Sequence, residues 1–362
     1  MTTVKWLKLN FDEEDVSSVT DLLNSQSTIC GFSEVVDQFE EACSAYFGVK
    51  HALACANGTV AIFIACEALQ RFYDKKFNYG VPTWSYIAPA NVADYVGELT
   101  LIDSEINSHN VEVNNVDLGV VDALIPVDMA GIPVDYDSIK KLNIPVVADC
   151  AESLGSKYKG EHSCSLSLVS TTSFQDAKII TTGEGGMVFT NNDEIAKICK
   201  LLINQGYGPS GYDMHDHIAK GFNFRMSALQ AALGISQLKK IEKFLSLREN
   251  TASIYREKLN KLVEFPIISE DVISNNYSFL IMLDSKTERD KLKNFLASKN
   301  IQSKLWKPIH LYGLFKDQGS FTNAEYIFDH HLRLPIHNNM RDEETELVCR
   351  EIKKCLEVIR ND

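Results

Sequence analysis

Apolar residues recur at helical spacing over residues 12–25 and 34–47, where Phe39, Ala42, Cys43, Ala45, Tyr46 and Phe47 line one face of the second stretch. Residues 51–56 then form a short apolar run that reads as a strand. Asn57-Gly58-Thr59 breaks it, and residues 60–69 read as a buried helix. Residues 79–87 make an aromatic-rich turn ahead of a helix over 89–95. Two further apolar runs, 122–127 and 145–149, read as buried strands flanking a helix over 137–142, and 187–190 is strand-like. Beyond Met226, Leu229, Leu233, Leu238, Ile241 and Leu245 return at helical spacing. From about Arg248 the order becomes helix, strand (277–283), helix (288–299), strand and a closing helix over 342–359.

Alternating strands and helices in the first part predict an α/β domain over residues 1–245, its mostly parallel sheet covered by helices on both faces. The later pattern predicts a smaller C-terminal α+β domain over 246–362, and the N-terminal segment is a candidate to pack on it. A chain of 362 residues is long enough for both. A net charge of −13 argues against general nucleic-acid binding, so an anionic substrate needs locally placed donors. No apolar run is long enough to span a bilayer, and residues 1–10 lack the apolar core of a secretory leader. Nine cysteines without C-x-x-C spacing read as reduced thiols, so a cytoplasmic location is expected.

Candidate chemistry gathers at Ser173-Phe174-Gln175-Asp176-Ala177-Lys178, followed by Gly183-Glu184-Gly185-Gly186. Lys178 is the only Lys or Arg between Lys159 and Lys197. A lysine held between two strands by a glycine turn suits an imine-forming cofactor, because only the neutral amine is a nucleophile and burial lowers its pKa. The plainer reading is a hairpin with Lys178 on its rim. Strand, Asn57-Gly58-Thr59, helix is an anion-binding arrangement, for which a simple N-capped helix is the alternative. Tyr86 is placed either to stack on a flat ring or to fill the core. Asp149 stands at the carboxyl end of an apolar strand, where ligands bind in open α/β sheets. A carboxylate there needs a positive or hydrogen-bonding partner.

Taken in order, the blocks NGT, VPTWSY, DCAESLG, SFQDAK with TTGEGG, and GFNFRMSALQAALG resemble the DegT/DnrJ/EryC1/StrS sugar aminotransferases, which are fold-type-I pyridoxal 5'-phosphate (PLP) enzymes. The resemblance covers nearly the whole chain. It implies that Lys178 links covalently to PLP and then moves a proton, and that Asp149 keeps the pyridine nitrogen protonated. It further implies that Tyr86 stacks on the ring and that Gly58, Thr59, Val60 and Ser173 hold the phosphate. Glu152 would lie beside the cofactor, where glutamate is similar to the 4-amino-sugar (perosamine-like) branch. Asn223 would reach the phosphate of the partner subunit, giving a homodimer with shared active sites. The implied substrates are a nucleotide-linked 4-keto-6-deoxysugar and glutamate, with a 4-amino sugar for surface polysaccharide or glycan biosynthesis as product. Lys304, Trp306, Lys307 and His310, in a basic aromatic segment, are the candidate substrate contacts; an exposed basic strand is the competing reading.

The chain departs from the family pattern at Ser163–Ser167, at Gln175 and over residues 70–79. Other readings stay open: a 3-ketosugar aminotransferase, a PLP dehydratase, or a non-catalytic regulator with the same fold. Lys178 argues against the dehydratases that carry histidine there. No metal site is expected, since His215-x-His217 and His330-His331 lack a third ligand. No P-loop or dinucleotide fingerprint is present.

Overall fold

The computed structural model describes residues 3–208, 216–316 and 318–361; His215 lies outside them. Helices α1 (Glu13–Asn24) and α2 (Glu34–Phe47) precede β1 (His51–Cys55), α3 (Gly58–Tyr73), β2 (Asn78–Pro82), α4 (Ile87–Val96) and β3 (Glu98–Ile102). Next come β4 (Ala123–Leu124), α5 (Tyr136–Lys141), β5 (Val147–Asp149) and a small hairpin, β6 (Lys157–Tyr158) with β7 (Glu161–His162). Strands β8 (Val169–Ser173) and β9 (Gly186–Thr190) follow, then α6 (Asp193–Ile203), α7 (Ala228–Lys239) and α8 (Ile241–Leu259). The chain closes with β10 (Val272–Ile273), β11 (Phe279–Met282), α9 (Lys286–Ser298), α10 (Thr322–His330), β12 (His331–Leu334) and α11 (Asp342–Asn361).

Single bridges, Leu124 to Val146 and Val127 to Asp149, join two ladders into one sheet of order β3-β2-β4-β5-β8-β9-β1. Only β9 runs antiparallel to its neighbours β1 and β8; the other pairings are parallel. The α/β class with a mostly parallel mixed sheet is therefore observed. Strand residues alternate between two cores, as a period of two requires. Leu53, Val147 and Val188 join one with α3, α4 and α6, while Ala52, Ala148 and Phe189 join the other with α2 and α7. All parallel strands deliver their carboxyl ends to one edge. There β1, β5 and β8 end at the Asn57 turn, Asp149 and Ser173.

The sequence pattern missed β2, β3 and α6. The first part of residues 79–87, read as an aromatic-rich turn, instead belongs to a strand buried between β3 and β4. Burial on both sides outweighs the local breakers there.

A third core holds Ala252, Tyr255 and Leu259 of α8 with β11, β12, α9 and α11, and it includes Val4, whose backbone pairs with Ile301. Position 245, the expected boundary, falls inside α8. Ile241 and Phe244 of that helix belong to the sheet's core, whereas Tyr255 and Leu259 belong to the third core. Ile309 N–H donates to the Thr83 carbonyl (2.7 Å), and the Trp306 indole N–H donates to the Ser85 carbonyl (3.2 Å), which seats the small unit over the strand ends.

Candidate active site

Between the strand ends and the small unit lies a cavity of about 850 Å³, lined by residues from both. Its floor is the start of α3. Asn57 caps the helix by accepting the Val60 N–H on its side-chain oxygen (2.9 Å). The N–H groups of Gly58 and Thr59, first in the helix, have no intrahelical partner. The fit is close: a Cβ on Gly58 would stand 2.7 Å from Ser173 Cβ, and one on Gly186 would stand 2.3 Å from the Asn57 carbonyl oxygen. Ser173 is thereby pressed against the helix start, and its hydroxyl, the two free N–H groups and the Thr59 side chain form a cradle for an oxyanion.

Asp149 forms one wall. One carboxylate oxygen accepts the Ala151 N–H (3.0 Å), and the other has no hydrogen-bond partner among the described residues. Burial pushes its pKa up to about 6, against the opposing pull of that N–H and of Lys178. Glu152, also buried, accepts the Ala130 N–H (2.8 Å). Burial raises its pKa, while Lys178 and Arg333 pull the other way. Lys178 lines the cavity with its ammonium 4.8 Å from the centre of the Tyr277 ring. It makes no ion pair within 4 Å among the described residues.

The expectation that burial lowers the Lys178 pKa is corrected. Burial does push it down, but the Tyr277 oxygen, Glu152 and Asp149 push it up by more, and the net shift is upward. A positive group brought against Asp149 would cancel one of those anions and favour the free amine.

Tyr86 lines the same cavity at the mouth, 61% exposed at the N-cap of α4. Lys304, Trp306 and Lys307 also line it, and so do residues the sequence reading missed: Trp6, Tyr277, Arg333 and Tyr312. Gly58, Thr59, Val60, Tyr86, Asp149, Glu152, Ser173, Lys178, Lys304 and Trp306 are thus brought together. Two are not. His310 is enclosed beneath the wall, its Nδ1 2.7 Å from Thr83 Oγ1 and its Nε2 3.3 Å from Glu325, so its expected substrate contact gives way to support of the Thr83 turn. Asn223 is exposed on the bridge to Asn204 and does not line its own chain's cavity. No metal-holding group of His, Cys, Asp or Glu occurs among the described residues.

Residues 10–353 match the model of the DegT/DnrJ/EryC1/StrS aminotransferase family. The chain belongs to this family. It is 31% identical over 329 residues to the GDP-perosamine synthase of Escherichia coli O157:H7, covering 88% of this chain and 89% of that protein. It is also 31% identical over 372 residues to the UDP-4-amino-4,6-dideoxy-N-acetyl-beta-L-altrosamine transaminase of Campylobacter jejuni, covering 97% of each. Helicobacter pylori PseC, an aminotransferase involved in the biosynthesis of pseudoaminic acid, superposes with a TM-score of 0.92 at 26% identity, over 99% of this chain and 100% of that one.

Members of the DegT/DnrJ/EryC1/StrS family are PLP-dependent aminotransferases, and this chain is one. The residues present fit the cofactor. The oxyanion cradle suits its phosphate, the unpartnered Asp149 oxygen suits a ring N–H, and the Lys178 amine, lining the same cavity, suits its carbonyl. Bound PLP supplies that carbonyl and a ring able to accept an electron pair from a substrate carbon.

Proposed function

We propose that this aminotransferase moves an amino group from glutamate to a nucleotide-linked 4-keto-6-deoxysugar, giving a 4-amino sugar for a surface polysaccharide, such as lipopolysaccharide, or another glycan. The observation that carries this reading is that Lys178, Asp149 and Glu152 face one cavity whose mouth is cationic and aromatic in a strongly acidic chain. In this reading Lys178 Nζ takes the proton from the donor's α carbon and returns it on the cofactor side. Asp149 holds the ring nitrogen protonated, and Gly58, Thr59 and Ser173 hold the phosphate, the Val60 N–H being taken by Asn57. Tyr86 covers the ring face. Lys304, Lys307 and Trp306 receive the nucleotide end, so that binding energy is gathered away from the reacting carbon.

The reading includes a homodimer in which Asn223 completes the partner's phosphate site. Exposed aromatics support it: Phe222 stacks on Phe224 at 4.8 Å, both meet Phe63, and Tyr95 beside them is 81% exposed. An apolar patch of this kind marks an interaction surface. Nine free cysteines, eight of them buried, support a reducing, cytoplasmic setting. No helix of the described residues is long and apolar enough to cross a membrane.

The test is to incubate the holoenzyme and glutamate with GDP-, UDP- and dTDP-linked 4-ketosugars and to locate the new amine by mass spectrometry and NMR. Amination at C4 is expected. An amine at C3, or a dehydrated product without nitrogen, would overturn it.

A further inference from the structure

Arg248 is 2% exposed, at the place where α8 leaves the sheet's core for the third core. It makes no ion pair within 4 Å among the described residues. Its Nε donates to the Asn338 side-chain oxygen (2.7 Å), and its Nη1 donates to the carbonyls of Asn276 (3.2 Å), Tyr277 (3.2 Å) and Ile336 (3.4 Å). Burial lowers its pKa to about 10, so the guanidinium is still charged at neutral pH. A buried charge held by dipoles alone costs stability relative to an apolar side chain of similar volume. Packing therefore does not account for an arginine here, but what it joins does.

Asn338 carries the link onward. Its side-chain N–H donates to the carbonyl of Ile179 (2.9 Å), the residue that follows Lys178. On the other side Tyr277, whose carbonyl meets Arg248, presents its ring centre 4.8 Å from the Lys178 ammonium. The turn that carries Tyr277 is held at its far end as well. There the Asn275 side chain donates to the carbonyls of Glu152 (2.8 Å) and Leu154 (2.9 Å) and accepts the Tyr277 N–H (2.8 Å). One guanidinium thus ties the backbone beside Lys178 to the backbone of its aromatic neighbour.

Resting on the reading that Lys178 is the reacting lysine, we infer that Arg248 and Asn338 are positioning residues, which fix the aim of the Lys178 amine by clamping Ile179 to Tyr277. Neither lines the cavity, so both act through the residues they hold. A shift of about 1 Å at the base of a reacting side chain is enough to cost about a hundredfold in rate.

Asn338→Asp separates the clamp from stability. A carboxylate still accepts from Arg248, now as an ion pair, but it has no N–H for the Ile179 carbonyl. The holoenzyme variant is expected to keep its unfolding midpoint and to lose about a hundredfold in kcat with glutamate, with KM changed less than about threefold. The isotope effect with glutamate deuterated at the α carbon should rise, because proton transfer to a misaimed amine becomes the slow step. The visible circular dichroism of the bound cofactor should lose intensity too, since it reports the setting of the ring and not turnover. Asn338→Ala, which removes both bonds and adds no charge, should reproduce the kcat loss at a lower unfolding midpoint. If both variants keep the kcat and circular dichroism of the wild type, or if the loss falls in KM instead, the assignment is overturned. Should wild-type turnover ignore glutamate, the donor in the proposed function falls, while the circular dichroism comparison still decides the clamp.

Discussion

Lys178 meets opposed demands, since it must be charged to settle among Glu152, Asp149 and Tyr277, and neutral to react. Lys178→Ala is expected to abolish both the visible band of the lysine-bound cofactor and all transamination; retention of either, by absorbance or by 2-oxoglutarate release, would remove the residue from its role. Asp149 makes a pH prediction for the cofactor-free chain. Its carboxyl is raised from 3.8 to about 6, so its contribution to stability is full below about pH 4 and is lost as pH rises through 6. The loss is about 3 kcal/mol. Asp149→Asn should flatten this part of a plot of urea midpoint against pH, and should slow the donor half-reaction by about a hundredfold or more. Lys178, Asp149 and Ser173 stood out in the sequence, Asp149 by the apolar strand it ends and Ser173 and Lys178 by the glycine turn that follows them, and the structure brings all three to one cavity. Arg333, Tyr277 and Trp6 were not. Arg333 reaches the cavity wall through a bridge to Lys304, and Trp6 through the pairing of Val4 with Ile301, contacts that no local pattern encodes. The direction of the Lys178 shift was misjudged for the same reason: Glu152 and Tyr277 reach it through the fold.

At the scale of elements, the cradle depends on β9 lying almost against the start of α3. Gly186→Ala would force a methyl into the Asn57 carbonyl, and the helix start would have to move. We expect a loss of about 1–3 kcal/mol in stability. Cofactor affinity should fall at least about tenfold because the free N–H groups of Gly58 and Thr59 lose their aim. Denaturation and cofactor titration measure the two, and an unchanged affinity would separate β9 from the phosphate site. The helices that frame this region were readable from period and caps, as for Asn57 before α3. Strand β2 was not, because Gly80 and Pro82 are turn residues wherever burial does not override them.

For the whole molecule, the exposed Asn223 and the aromatic patch beside it predict that one chain completes another's site. Lys178→Ala and Asn223→Ala chains, each impaired alone, should recover activity when co-expressed, because a mixed dimer carries one site with neither lesion. Activity of purified mixed dimers up to about half the wild-type value is expected, since only one of two sites is restored. No recovery would mean that each chain works by itself. The change of pattern near Arg248 was readable in the sequence, and the N-terminal segment, expected to pack on the later part of the chain, does place Val4 in the third core. That has a consequence on the ribosome. At ordinary elongation rates Val4 emerges about 15–60 s before its partner Ile301 exists. During that interval the sheet can close around its own helices, while Trp6 still lacks the later residues that share the cavity wall with it, so the nascent chain acquires its catalytic floor well before its roof.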